Sequence, residues 1–375
     1  MLSDLSASTA RLALVGLAKN TGKTEALAAL LRELAAGGRR VGVTSVGRDG
    51  EQHDVIDFRI EKPRVLLTAG SFVATTDELL RASGLPHELL EQTDVRTPLG
   101  RVLIARLHGP GAIEVAGPSG AAQVRAVSDA MLAHGAEQVL IDGAIDRRAA
   151  SSPDVADGLV MSTGAVLSED IEEVVQRTRE AVALVRLATV DSDGQDGARL
   201  RAIAQERPAG ASVLVGEDFE VNELEPRFVL GSDAAAIAAL LTEAPSARWL
   251  IVAGALPEAF MREVAQGARR RGHSLTLLVG DATKVFLTEH GIDWYERHGV
   301  CVQVLQPIEL LALTVNPVAP QSHRFDSTRL RALLAQEITD LPIFDVMHPE
   351  YRGAQGQHRV PGSGHAVSSS ETARE

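Results

Sequence analysis

Residues 11–24 read Arg11-Leu12-Ala13-Leu14-Val15-Gly16-Leu17-Ala18-Lys19-Asn20-Thr21-Gly22-Lys23-Thr24. The apolar run 12–15 predicts a strand. After it, Leu27, Leu30, Leu31 and Leu34 recur at three- and four-residue spacing until Gly37-Gly38, which predicts a helix with one apolar stripe and a glycine stop. A strand, a glycine-bearing turn and a helix opening on Gly-Lys-Thr are the context that a phosphate-binding loop requires. Gly22 lets backbone N–H groups approach phosphate, and the helix N-terminus adds partial positive charge. Lys23 reaches the outer phosphates and the Thr24 hydroxyl offers a magnesium ligand. Gly16, Lys19, Asn20, Thr21, Gly22, Lys23 and Thr24 form the predicted nucleotide-binding set.

Outward from the loop, apolar runs of strand length alternate with helical periodicity, which predicts an α/β fold with a mostly parallel sheet covered by helices. Strands are expected at 41–46, 64–68, 102–107, 113–116, 138–141 and 159–162, with helices at 120–134 and 168–187. The turn His108-Gly109-Pro110-Gly111 is too short for a helical crossover, so 102–107 and 113–116 are expected to pair antiparallel. The polar stretch 189–197 reads as a linker or exposed loop. A second α/β unit is expected beyond it, with strands at 249–252, 275–279, 300–305 and 311–315 and helices at 258–270 and 327–336. The expected division is therefore a P-loop NTPase domain over 1–190, a second α/β domain over 191–352 and a disordered tail over 353–375, where apolar periodicity ends. Two domains suit 375 residues, since single cores stop growing near roughly 250–300 residues.

Magnesium takes oxygen ligands, usually with carboxylates among them. Asp142 ends the apolar run Val139-Leu140-Ile141 in a Walker-B-like position, Asp49 follows the second strand, and Glu114 lies in a further strand, so these three join Thr24 as candidate metal ligands. An acidic residue at a strand end also serves as a helix cap or a solvated turn. Lys23, Lys19 and Asp142 are the candidate catalytic groups. Lys19 and Arg48 carry charge suited to a transferred phosphoryl group, as do Arg147 and Arg148, although an ion-paired surface arginine has the same appearance in sequence. No [NT]KxD stretch of the guanine-selecting kind occurs in the expected region, which points to ATP and leaves GTP open. The histidines lack H-E-x-x-H spacing and no cysteine cluster exists, which argues against zinc; His290 and His298 flank Trp294 and Tyr295 and read as structural. No G-x-S-x-G elbow supplies a serine nucleophile.

The formal net charge of −13 argues against nucleic-acid and acidic-membrane partners. The one dense basic run, Arg269-Arg270-Arg271, falls near a predicted helix end, where it complements the dipole. Aromatic residues make up 3% of the chain, so aliphatic side chains must fill its cores. The lone Cys301 lies in an apolar run and forms no intrachain disulfide. With no signal-like opening and no apolar run approaching ~18–20 residues, a cytoplasmic location is expected.

The loop departs from G-x-x-x-x-G-K-[ST] in one respect, because its first glycine is Gly16 and position 17 is leucine. In this it resembles the loops of dethiobiotin synthetase and other SIMIBI-class NTPases, a type that also carries a glutamate in a strand comparable to that of Glu114. The stretches GLAKNTGKTEAL (16–27), TSVGRDGE (44–51), KPRVLLTAG (62–70), LIDGAIDRRAASSP (140–153) and LTVNPVAP (313–320) together resemble the P-loop subunit of lysine 5,6-aminomutase reactivase. That resemblance implies an ATP- and Mg2+-dependent, chaperone-like factor acting with a MutS-related partner subunit on an adenosylcobalamin-dependent aminomutase. The chain has no D-x-H-x-x-G stretch, which points to the mutase and not the corrinoid as what it handles. Two other readings stay open: an ATP-dependent small-molecule ligase or kinase, and a nucleotide-sensing interaction module. A homodimer is expected by analogy with SIMIBI proteins.

Overall fold

The computed structural model describes residues 1–47, 64–143, 148–190, 194–207, 210–224, 246–272, 274–320 and 323–349, with 244 and 351. Asp49, Arg48, Arg147 and the tail 353–375 lie outside the described residues. The strands are β1 (Arg11–Gly16), β2 (Val41–Ser45), β3 (Val65–Leu67), β4 (Phe72–Thr76), β5 (His87–Thr97), β6 (Gly100–Leu107), β7 (Gly111–Ile113), β8 (Gln138–Asp142) and β9 (Gly158–Gly164). They continue with β10 (Ser212–Gly216), β11 (Val221–Leu224), β12 (Ala247–Ile251), β13 (Leu256–Pro257), β14 (Leu275–Val279), β15 (Val285–Phe286), β16 (Val300–Val304), β17 (Leu310–Asn316) and β18 (Ile343–Phe344).

The protein is α/β, with two large mixed sheets. The larger has nine strands in the order β18-β17-β9-β1-β8-β2-β4-β6-β5. From β18 to β4 every pairing is parallel, and β6 and β5 close that edge antiparallel. Leu12, Ala13 and Leu14 are wholly buried, as both faces of an interior parallel strand must be. One face of β1 meets the helix Lys23–Ala36, which buries Ala26, Leu27, Leu30 and Leu34. Each buried leucine contributes about 1.5–3 kcal/mol of transfer free energy. The helix ends in a Schellman arrangement: Gly38 takes φ 72°, its N–H donates to Ala35, and the Arg39 N–H donates to Leu34 at 2.9 Å.

Connections leave β1 towards β2 on one side, while the chain from β8 passes to β9 and later to β17 on the other. Strand order therefore reverses at β1, and the carboxyl end of such a switch point is where open α/β sheets place ligands.

The expected pairing of 102–107 with 113–116 is overturned. β6 pairs with β4 and β5, and β7 pairs antiparallel with β3 in a separate two-stranded sheet. The turn is pinned elsewhere: the His108 N–H donates to the Pro86 carbonyl at 2.8 Å, and a Cβ on Gly111 would strike Leu85. The chain is thus steered away from β6 before the next strand begins.

The second sheet has the order β11-β10-β12-β14-β16, with β12, β14 and β16 parallel. The helices Gln195–Glu206, Glu258–Arg271 and Ile292–Arg297 belong to the same stretch of chain. Strand 311–315, expected in this unit, instead lies in the larger sheet as β17, where Leu313 pairs with Met161 and Thr314 with Ser162. Two features seat it there. A Cβ on Gly164 would overlap the Asn316 carbonyl, so only glycine allows this approach, and the Ser162 and Thr314 hydroxyls share a 2.7 Å hydrogen bond. The expected linker is also shorter than its sequence suggests, since the Val190 N–H donates to Val304 at 3.0 Å and a helix begins at Gln195.

Cys301 is half-buried in β16 and burial raises its thiol pKa. No described helix is long and apolar enough to cross a membrane.

Candidate functional site

Five parallel strands deliver their carboxyl ends to one edge: β1 at Gly16, β2 at Ser45, β8 at Asp142, β9 at Gly164 and β17 at Asn316. In-register pairing sets their heights, with Asp142 opposite both Leu14 and Ser45 and Gly16 opposite Ser162. Segment 17–22 crosses this edge. Its entry is fixed by the Leu17 N–H, which donates to the Ser162 carbonyl at 2.9 Å and so prolongs the β1–β9 ladder by one residue.

The turn uses two left-handed residues, Asn20 (φ 65°) and Gly22 (φ 88°). Thr21 between them is buried, and its hydroxyl donates to the Ala18 carbonyl at 3.0 Å. A Cβ on Gly16 would occupy the place of that hydroxyl. Gly16 thus makes room for Thr21 to close the turn, which gives a physical reason for a glycine at this position despite the leucine that follows. Gly22 caps the helix, its carbonyl accepting the Ala26 N–H at 2.9 Å, and the helix's first N–H groups have no intrahelical acceptor.

Lys23 opens the helix and forms an ion pair with Asp142 at the end of β8. The pair is about three-quarters buried, with side-chain exposures of 22% and 29%. The structure therefore brings together two of the three candidate catalytic groups. Lys19, Asn20 and Thr24 are exposed around the turn, and Thr24 follows Lys23 in the first helical turn. Glu114 comes just after β7 and is half-buried; its backbone carbonyl accepts the Thr75 hydroxyl at 3.1 Å, which lays that segment over β4, two strands from Asp142. Asp49 cannot be placed among these groups, being outside the described residues.

Asn316 is the site residue that spacing did not single out. Its side-chain amide donates to the Asn20 carbonyl at 2.9 Å, while its side-chain oxygen accepts the Val318 N–H at 3.1 Å. It also lies so close to Gly22 that a Cβ there would fall 2.9 Å from the Asn316 Cβ. The only sequence signal was a polar residue ending an apolar strand just before proline. That it faces a loop almost 300 residues earlier depends wholly on the return of β17 to the larger sheet.

Among the described residues no group of three or more His, Cys, Asp or Glu could hold a metal ion by itself. Magnesium does not need one, since it is usually held by one or two carboxylates, water and substrate phosphates. Asp142 and Thr24 fit that pattern. Ser45 does not, because its hydroxyl donates to the Val115 carbonyl at 3.2 Å and accepts the Gly117 N–H at 3.0 Å.

The two histidines read as structural lie on either face of Trp294, with ring centroids 4.2 Å from His290 and 3.8 Å from His298. They form a packed aromatic stack in the second unit, remote in sequence from the loop.

No protein-family model matches the chain, and no curated protein matches it.

Proposed function

We propose that the chain is a magnesium-dependent nucleoside triphosphatase whose nucleotide lies on the turn 17–22, and that its larger sheet forms a P-loop NTPase domain beside a second α/β domain. The observation that carries this reading is the Lys23–Asp142 pair, which joins the first residue of the loop helix to the carboxyl end of β8, next to β1, after a turn with two left-handed residues. Lys23 would exchange Asp142 for the outer phosphates of a bound triphosphate, and Asp142 with Thr24 would then hold Mg2+, which would supply charge neutralisation at the phosphates. The exposed Lys19 stabilises negative charge that develops on the transferred group. ATP is the favoured nucleotide.

What the hydrolysis drives follows from the resemblance stated above: reactivation of an adenosylcobalamin-dependent aminomutase with a MutS-related subunit. Nucleotide turnover biases a protein with two states that differ in their contact with the client, and so promotes release of an inactive cofactor.

The deciding experiment measures ATP binding and hydrolysis by the full chain and by Lys23→Ala. Losing a charge-assisted phosphate contact costs about 1.5–3 kcal/mol, or roughly 10- to 150-fold in affinity. Full activity in Lys23→Ala refutes the nucleotide reading. ATP turnover that ignores an inactivated aminomutase and its MutS-related partner, yet rises with a small metabolite, refutes the reactivase reading in favour of a ligase or kinase.

A further inference from the structure

The face of β1 away from the helix Lys23–Ala36 does not close fully. Between β1, β9, the helix Ile171–Val185 and the turn Ala282–Lys284 of the second unit lies a cavity of about 70 Å3. Nine of the eleven described residues that line it are apolar, the other two are Ser151 and Thr283, and none carries a charge. The nearby Asp281 carboxylate is already engaged by the Thr283 N–H at 2.7 Å and by the Ser152 hydroxyl at 3.4 Å. Among the described residues, ions and nucleotides therefore find no partner here.

The lining residues follow the direction of the strands. Its wall runs from Leu159, paired with Ala13, past Met161, paired with Val15, to Leu17. Four residues along a strand span about 13 Å. The roof is the helix stripe Ala181, Leu184 and Val185, at i, i+3 and i+4, which stays partly exposed although the rest of that face is buried. An engineered cavity that admits benzene has about 150 Å3, roughly twice this volume, so the space suits a ligand smaller than an aromatic ring.

We infer that this slot binds a short unbranched alkyl chain, free or as part of a longer neutral molecule. The inference stands apart from the nucleotide reading, because the slot lies on the opposite face of β1 from the loop helix and its occupant needs no phosphate contact.

The test titrates the full chain, without nucleotide, with linear alkanols from propan-1-ol to octan-1-ol and follows the methionine methyl groups by NMR. The Met161 methyl is expected to shift saturably, while Met131 and Met261, buried elsewhere in the cores, stay still. Affinity is expected to rise about fourfold per added CH2 until the slot is full. Ala181→Leu, which fills the slot, is expected to abolish the Met161 response. Should that variant not fold, the comparison with tert-butanol takes its place, the branched alcohol being expected to bind more weakly than butan-1-ol. An absent or non-saturating Met161 shift, equal shifts at all three methionines, an unchanged response in folded Ala181→Leu, or equal binding of the two butanols overturns the inference.

Discussion

Gly22→Ala is the sharpest probe of the loop. At φ 88° an L-residue pays about 1–2 kcal/mol for the left-handed backbone. Its new Cβ also falls 2.9 Å from the Asn316 Cβ, where carbon atoms prefer about 3.5–4.0 Å. Asn316 cannot yield freely, because its side chain holds the Asn20 carbonyl at 2.9 Å and the Val318 N–H at 3.1 Å. Giving up one of these bonds costs about 0.5–1.5 kcal/mol. The sum, about 1.5–3.5 kcal/mol, corresponds to roughly 10- to 300-fold in an equilibrium constant. Because the strain is confined to the turn, it is expected to appear as weakened ATP binding with a retained fold, measured by calorimetric titration beside circular dichroism. Gly22→Ala combined with Asn316→Gly removes the collision and keeps the backbone strain, so it is expected to regain only part of the loss. ATP affinity within threefold of the parent in Gly22→Ala refutes the reasoning.

Asp142→Asn keeps the volume of the side chain and removes its charge. Because the Lys23–Asp142 pair is largely buried, losing its charge is expected to cost more than the roughly 1 kcal/mol of an exposed pair and to lower the melting temperature, while magnesium-dependent turnover falls on the order of 100-fold in protein that is still folded; unchanged turnover would exclude Asp142 from the site. In the second unit, burial works against the Glu258 carboxylate, but hydrogen bonds from Thr288, Glu289 and His290 outweigh it and lower its pKa from 4.5 to about 2. A depressed carboxyl pKa contributes stability above its unfolded value that disappears as pH falls through the folded one. The second unit is therefore expected to lose about 3 kcal/mol between about pH 4.5 and about pH 2. Both tryptophans, Trp249 and Trp294, lie in that unit, so their fluorescence in denaturant titrations reads it directly. Glu258→Gln is expected to remove this pH dependence, and a variant that retains it would show the assignment to be wrong.

Several features of the site could be read before any coordinates. The run 12–15, the stripe from Leu27 to Leu34 and the Gly-Lys-Thr sequence act through neighbours a few residues away, and local backbone geometry enforces them. Asp142 was accessible for the same reason, since a carboxylate ending an apolar run sits at the edge where parallel strands finish. The edge strand β5 left no such trace, because Thr93 alone of its eleven residues is buried and His87-Glu88 and Glu91-Gln92 break any alternation.

The sequence by itself determined the α/β class, the strand–turn–helix around Gly22-Lys23-Thr24 and the apolar character of β17, all consequences of short-range periodicity. Tertiary structure alone decided which sheet β17 joins, because an apolar strand satisfies the burial demand of either one. That choice turns on contacts across the fold: the close approach at Gly164 and the hydroxyl pair Ser162–Thr314. It also brings Asn316 onto the turn at Asn20, so the far end of the chain helps to shape the loop at its start.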